Sequence, residues 1–270
     1  MLSVLTEDYV AQVSDMRLTA ADGSAVSEEA AKTVVWDGRF LVGYTGFACS
    51  EGESTDKWLA SVLADKTELE PAVESVRSEA ERRAAALPGK GRHLAVGGVG
   101  WGRRSGADGL VAMWFEVSNI DIGGAPAPGT FTGTIGVLRT PFLIRRLGQA
   151  LPTRARIERQ VRGRIRAGSS AGAVVQTLAR CIREVASTNP TVGHALLLSS
   201  IPRAVAPLQQ ITIRYGPLDW NNAELRHAPG DPRDAIVRGP TFAIRGLAAA
   251  GIVMGAEDEL RSPDFVCPPA

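Results

Sequence analysis

Cysteine and histidine are scarce in this chain of 270 residues, at three of each. Cys49, Cys181 and Cys267 are odd in number and widely spaced, which argues against a disulfide framework and suits a reducing compartment. His93, His194 and His227 stand at no metal-ligand spacing from one another or from a cysteine, so no metal site is expected. Long apolar runs are missing too. The stretch Leu247 to Met254 is far too short to cross a bilayer, and no membrane partner is expected. The start carries Glu7, Asp8 and Asp15 and no basic residue ahead of an apolar stretch, so a signal peptide is not expected and a cytoplasmic location is. Net charge is only +1, which gives the whole molecule no strong field toward nucleic acid.

What is present is ordinary globular material: 44% hydrophobic and 22% charged residues. The length is enough for a real core, and 1–270 reads as one domain, with 203–270 extending beyond its core. Leu2 to Leu5 and Val10 to Asp15 read as strands joined by a turn at Glu7-Asp8. Lys32 to Trp36 and Phe40 to Tyr44 flank Asp37-Gly38, a two-residue hairpin signal because its tight turn needs positive φ. A helix is expected from Ser54 or Thr55, either of which suits an N-cap, and a second from Pro71 to Leu87. Strands are expected at His93 to Val99, Leu110 to Val117 and Thr130 to Val137. Arg103 to Gly109 would link the first two of these. Helical periodicity covers Thr153 to Arg166 and Ser169 to Val185. Extended segments follow at Ala195 to Ile201, Gln210 to Tyr215 and Pro240 to Ile244, with a loop over Asp219 to Arg238. This order predicts an α+β fold with two sheets and helices on both outer faces.

Four features near the start form one arrangement. Asp15-Met16-Arg17-Leu18-Thr19 is an Asp-x-Arg-x-Thr run at a strand end, and Lys32 opens the next strand. Gly46 lies at the end of the strand after that, in Gly43-Tyr44-Thr45-Gly46-Phe47-Ala48. Thr55-Asp56 then begins a helix. In residue type, order and approximate spacing this resembles proteasome β-subunits and their bacterial relatives, a branch of the N-terminal nucleophile (Ntn) hydrolases. The resemblance covers about residues 3 to 65 and is only architectural further on. It implies a four-layer αββα sandwich and cleavage of a peptide or other amide by an N-terminal Thr, Ser or Cys whose own α-amino group takes the proton. It implies that Lys32 holds positive charge beside the nucleophile, oriented by Asp15 and Arg17, and that the Gly46 backbone N–H supplies the oxyanion hole. Thr19 would bind substrate backbone, while Leu18, Tyr44 and Ala48 would line the specificity pocket, made small or capped by Tyr44. No cofactor is implied, and a homo-oligomer is expected. Without the resemblance, Asp15 and Arg17 read equally as an exposed pair, Lys32 as an edge-strand lysine, and Gly46 as a residue of a turn or bulge.

The nucleophile itself is not among these residues. With the turn at Glu7-Asp8, hairpin register puts Asp15 opposite a position at or before Met1. Ser3 and Thr6 lie too near the turn to take the role. Two readings stay open: an Ntn amidohydrolase whose nucleophile precedes Met1, or a catalytically inactive relative that acts through binding or assembly. Later residues depart from the family pattern. In Asn189-Pro190-Thr191-Val192-Gly193 the glycine fits, but Val192 and Asn189 stand where a serine and an aspartate are the rule.

Three other signals are weaker. Gly168-Ser169-Ser170-Ala171-Gly172 matches G-x-S-x-G but follows an arginine-rich stretch instead of an apolar strand, so the serines read as a helix cap. Gly97 to Gly102 is glycine-rich, yet no helix follows to make a phosphate cradle. Arg139 to Arg166 carries nine arginines against the single acid Glu158. It reads as a solvated helix pair, as a subunit interface, or as a site for an acidic ligand. Nucleic acid is not expected, because aromatics for base stacking are few.

Overall fold

The computed structural model describes residues 1–19, 25–27, 30–88, 91–103, 109–120, 130–148, 154–203, 212–216, 241–244 and 247–249. The fold is mixed α+β. In chain order the strands are β1 (Leu2–Thr6), β2 (Tyr9–Asp15), β3 (Leu18–Thr19), β4 (Ala25–Ser27), β5 (Thr33–Trp36), β6 (Phe40–Gly46), β7 (Cys49–Ser50) and β8 (Glu53–Ser54). Helices α1 (Thr55–Ala64) and α2 (Leu69–Ala85) follow, then β9 (Leu94–Arg103), β10 (Leu110–Ser118), β11 (Thr132–Val137) and β12 (Phe142–Arg146). The rest is α3 (Arg154–Arg166), α4 (Ala171–Ala186), β13 (Leu196–Pro202), β14 (Thr212–Gly216), β15 (Thr241–Ile244) and β16 (Leu247–Ala249).

Two large sheets result. A five-stranded one has the order β12-β1-β2-β13-β14 and is antiparallel throughout. A seven-stranded one has the order β11-β10-β9-β6-β5-β15-β16 and is antiparallel except where β15 runs parallel to β5. The described strands beyond residue 203 therefore lengthen both sheets. The Asp219 to Arg238 loop lies outside the described residues.

Alternation along the strands sorts the side chains into three packed groups. Val34, Trp36, Phe40, Val42, Tyr44, Leu94, Val96, Met113, Phe115 and Val117 point from the seven-stranded sheet onto α1 and α2, where Trp58, Leu59, Leu63, Val73 and Val76 meet them. Leu2, Val4, Ala11, Val13, Leu196 and Leu198 point from the five-stranded sheet onto Ile157 and Val161 of α3 and Val174, Leu178 and Ile182 of α4. The opposite faces look at each other through Leu5, Val10, Val35, Leu41, Val99, Trp101 and Ile201. Trp101 also donates its indole N–H across that interface to the Ile201 carbonyl, at 3.2 Å. Each period-2 strand thus serves two apolar layers at once, which is why β1 and β2 are buried along their whole length.

Several sequence expectations need correction. The strand expected at His93 to Val99 runs on past Val99. Gly97, Gly98, Gly100 and Gly102 lie in the ten-residue β9, which continues to Arg103. At Gly100 a β-carbon would stand 2.3 Å from the Arg39 carbonyl oxygen, so close strand approach explains the residue. Nor is the arginine segment a helix pair: Phe142–Arg146 is the strand β12, paired with β1. Ser54 occupies the α1 N-cap position but makes no side-chain cap bond. Thr55 anchors that end instead, its hydroxyl donating to the Phe47 carbonyl at 2.8 Å and its N–H to Ala48 at 2.8 Å. Ser170, by contrast, does cap α4, accepting from the Ala173 N–H at 3.4 Å. Among the described residues no helix is long and apolar enough to cross a membrane.

Candidate active site

The β1–β2 hairpin carries the chain from the turn back to Asp15 in a fixed register: Leu2 faces Val13, Ser3 faces Gln12, Val4 faces Ala11. Continued by one step, Met1 faces Ser14, and the place opposite Asp15 is one residue ahead of Met1. Ser3 and Thr6 are committed elsewhere. The Ser3 hydroxyl accepts from Gln12 at 3.3 Å, and the Thr6 hydroxyl donates to the Tyr9 carbonyl at 2.8 Å within the turn.

At that end of the hairpin the two sheets converge. Lys32, just ahead of β5, reaches across to Asp15 on β2, with Nζ 2.8 Å from Oδ1 and both side chains about one-eighth exposed (13% and 12%). This excludes the reading of Asp15 and Arg17 as a merely exposed pair. It also removes the edge-strand account of Lys32, since β5 runs between β6 and β15. Burial pushes the Asp15 carboxyl up, but the Lys32 ammonium, the amino group of Met1, the Lys32 hydrogen bond and the Gly193 N–H together hold it below its usual 3.8. The Arg17 backbone N–H adds a further donor to Asp15 at 3.3 Å, and the Arg17 guanidinium donates to the Pro190 carbonyl. Arg17 thus ties the segment 190–193 against the pair, and Gly193 answers with its own N–H. Asn189 shapes the same segment by accepting from the Thr191 N–H at 2.9 Å and its hydroxyl at 2.7 Å.

The Met1 α-amino group lies beside this pair. It donates to the Leu147 carbonyl at 3.2 Å, extending the β1–β12 pairing by one residue. Burial lowers its pKa below 8.0; Asp15 opposes that shift, and Lys32 and Arg146 add to it. The Met1 thioether lies over Gly43 of β6, where a β-carbon would stand 2.1 Å from the sulfur.

The remaining expected residues are placed as follows. Gly46 ends β6 opposite Leu94, with φ +117, and a β-carbon there would stand 2.0 Å from the His93 carbonyl oxygen. Backbone approach alone therefore demands glycine at this position. Leu18 is buried and Thr19 partly so, both in the short β3 against β4. Tyr44 is 2% exposed and packed among the side chains under α1 and α2. Ala48 is half-buried beside the start of α1.

Sequence reasoning missed a row of buried polar side chains between the sheets: Ser3, Gln12, Ser14 and Thr33, each at most 3% exposed. The signal was available, since Gln12 and Ser14 interrupt the otherwise apolar face of β2 that looks at the second sheet. Buried polar groups need partners, and these four find them in one another.

The pair makes acid sensitivity predictable. A carboxyl whose folded-state pKa is depressed adds stability at pH values above its unfolded pKa and loses it as pH falls through the folded one. Urea denaturation from pH 7 downward is expected to show wild-type stability dropping below about pH 4 more steeply than that of Asp15→Asn. Parallel slopes would contradict the depressed carboxyl. No family model matches the sequence, and no curated protein matches it either.

Proposed function

We propose that this protein is an amide hydrolase of the N-terminal nucleophile kind, with a four-layer αββα sandwich and a Thr, Ser or Cys at the position opposite Asp15, one residue ahead of Met1. The observation that carries the reading is the Asp15–Lys32 pair at 2.8 Å, bridging the two sheets at the end of β1. A nucleophile there would have Lys32 to stabilise its ionised form and its own α-amino group, in place of that of Met1, to take its proton. The hydroxyl or thiol attacks the amide carbon, its proton passes to the amine and then to the leaving nitrogen, and water releases the acyl group. The positive-φ turn at Gly46 is where this reading places the oxyanion donor. With Tyr44 filling the space under α1, the reading favours small acyl-side groups. Incubating the protein from its native host with an electrophilic lactone should add one acyl group to the N-terminal residue, located by peptide mass spectrometry. Acylation only at surface lysines would count against the proposal.

A second reading, a non-catalytic binding or assembly protein, draws on the outer face of α3. There Arg156, Arg159, Arg162, Arg164 and Arg166 are all exposed, and α3 has no acid in its first turn. Arg162 lies over the Phe142 ring and Arg156 pairs with Glu184. A face of this kind suits an acidic partner. The first reading is preferred because a buried ion pair costs desolvation that a binding role does not require.

A further inference from the structure

We infer that Thr33 positions the Asp15–Lys32 pair, acting through a buried polar row that fastens the two sheets together beside it. The inference deepens the hydrolase reading and rests on it only for the effect on turnover; the geometry of the pair is tested separately. Thr33 immediately follows Lys32 and opens β5, while Ser14 immediately precedes Asp15 on β2. Their hydroxyl oxygens are 3.1 Å apart, so the residues next to the two charged ones are joined across the same gap as the charges.

Proton counting fixes the direction of the row. Thr33 has one hydroxyl proton, and the carbonyl oxygen of the Gln12 side chain, at 3.3 Å, can only accept. Thr33 therefore donates to Gln12 and accepts from Ser14. The Gln12 amide then spends its two protons on the Ser3 hydroxyl at 3.3 Å and the Leu41 carbonyl at 3.4 Å. Ser3, Gln12 and Ser14 belong to the five-stranded sheet, Thr33 and Leu41 to the seven-stranded one. Around these contacts the sheets meet through aliphatic and aromatic side chains, which set no particular offset between strands, and through the separate Trp101 bond to the Ile201 carbonyl. Hydrogen bonds are directional, and this row sets an offset. Thr33 is the joint, because both bonds that leave β5 side chains for the other sheet run through its single oxygen.

Valine in place of Thr33 keeps the shape and removes both bonds, whereas serine keeps the hydroxyl. The discriminating readout is the carboxyl titration of Asp15, followed by carbon-13 NMR, with stability at pH 7 measured alongside. Besides Lys32, Asp15 faces the N-terminal amino group and the N–H groups of Arg17 and Gly193, none of which either substitution touches. Thr33→Ser is expected to titrate like the wild type. Thr33→Val is expected to raise the Asp15 midpoint by about one unit or more, a tenfold change in proton affinity, as Lys32 moves away. A folded Thr33→Val with an unchanged Asp15 titration would overturn the inference and leave the row as core packing alone. Should Thr33→Val fail to fold, Ser14→Ala removes only the outer bond and is judged by the same criterion. In a hydrolysis assay Thr33→Val should lower kcat with KM unchanged, and Thr33→Ser should restore it. Absence of hydrolysis in the wild type would count against the proposed function and leave the titration result standing.

Discussion

Replacing Lys32 by methionine should cost about 3 kcal/mol of stability at neutral pH, because it strands a buried carboxylate without its counter-ion. Lys32 and Asp15 are each about one-eighth exposed, so water can do little to replace the lost partner. Three further outcomes follow from the same physics. The deficit should shrink in acid, where Asp15 takes up a proton. The Asp15 carboxyl should titrate at higher pH, since burial already pushes it up and the strongest opposing charge is gone. The double substitution Asp15→Asn, Lys32→Met should recover much of the loss, as buried pairs replaced together are often neutral. Urea denaturation at two pH values separates these outcomes from a simple packing defect, which would be independent of pH. In the hydrolase reading the same substitution abolishes turnover, since the nucleophile loses the charge that stabilises its ionised form.

Gly46→Ala should be at least as damaging, for a different reason. The new methyl would fall 2.0 Å from the His93 carbonyl oxygen, and φ is +117, a conformation that side-chain-bearing residues avoid. Strand β9 is locked to β6 over seven consecutive register pairs, so His93 cannot simply step aside. Loss of about 3 kcal/mol or more is expected, measured by denaturation or seen as failure to accumulate folded protein. Gly52 is the control. Its φ is also positive, at +76, but nothing lies within 4 Å of the added carbon, so Gly52→Ala should cost only about 1–2 kcal/mol of backbone strain. Equal losses at the two sites would mean that conformation, and not the His93 contact, dictates Gly46.

How far the sequence disclosed this arrangement depended on how local the governing physics was. The β1–β2 turn and the Asp37-Gly38 hairpin were legible because a few residues decide them, and Asp37 and Gly38 do adopt positive φ, at 48° and 63°. Apolar spacing likewise located all four helices found among the described residues. The pairing of Lys32 with Asp15 was legible only through the family resemblance in residue order and spacing, because it joins strands of different sheets. Strand β9 was cut short because glycine is a breaker in isolation, whereas here Gly98 and Gly100 make room for Phe115 and Phe40. Strand β12 was hidden by its arginines. Arg145 hides its charge by pairing with Glu116 at 2.5 Å and lying 3.8 Å over the Trp114 ring, contacts that no local pattern announces. The polar row from Ser3 to Thr33 failed to register for the same reason: each member looks like an ordinary strand residue until the opposite sheet supplies its partner.

The most direct test of the proposed function is the intact mass and N-terminal sequence of the protein isolated from its native host. The hydrolase reading predicts a mature first residue of Thr, Ser or Cys, at the place that the register of β1 against β2 sets opposite Asp15. A mature protein beginning at Met1 would leave the nucleophile's position empty and contradict the hydrolase reading.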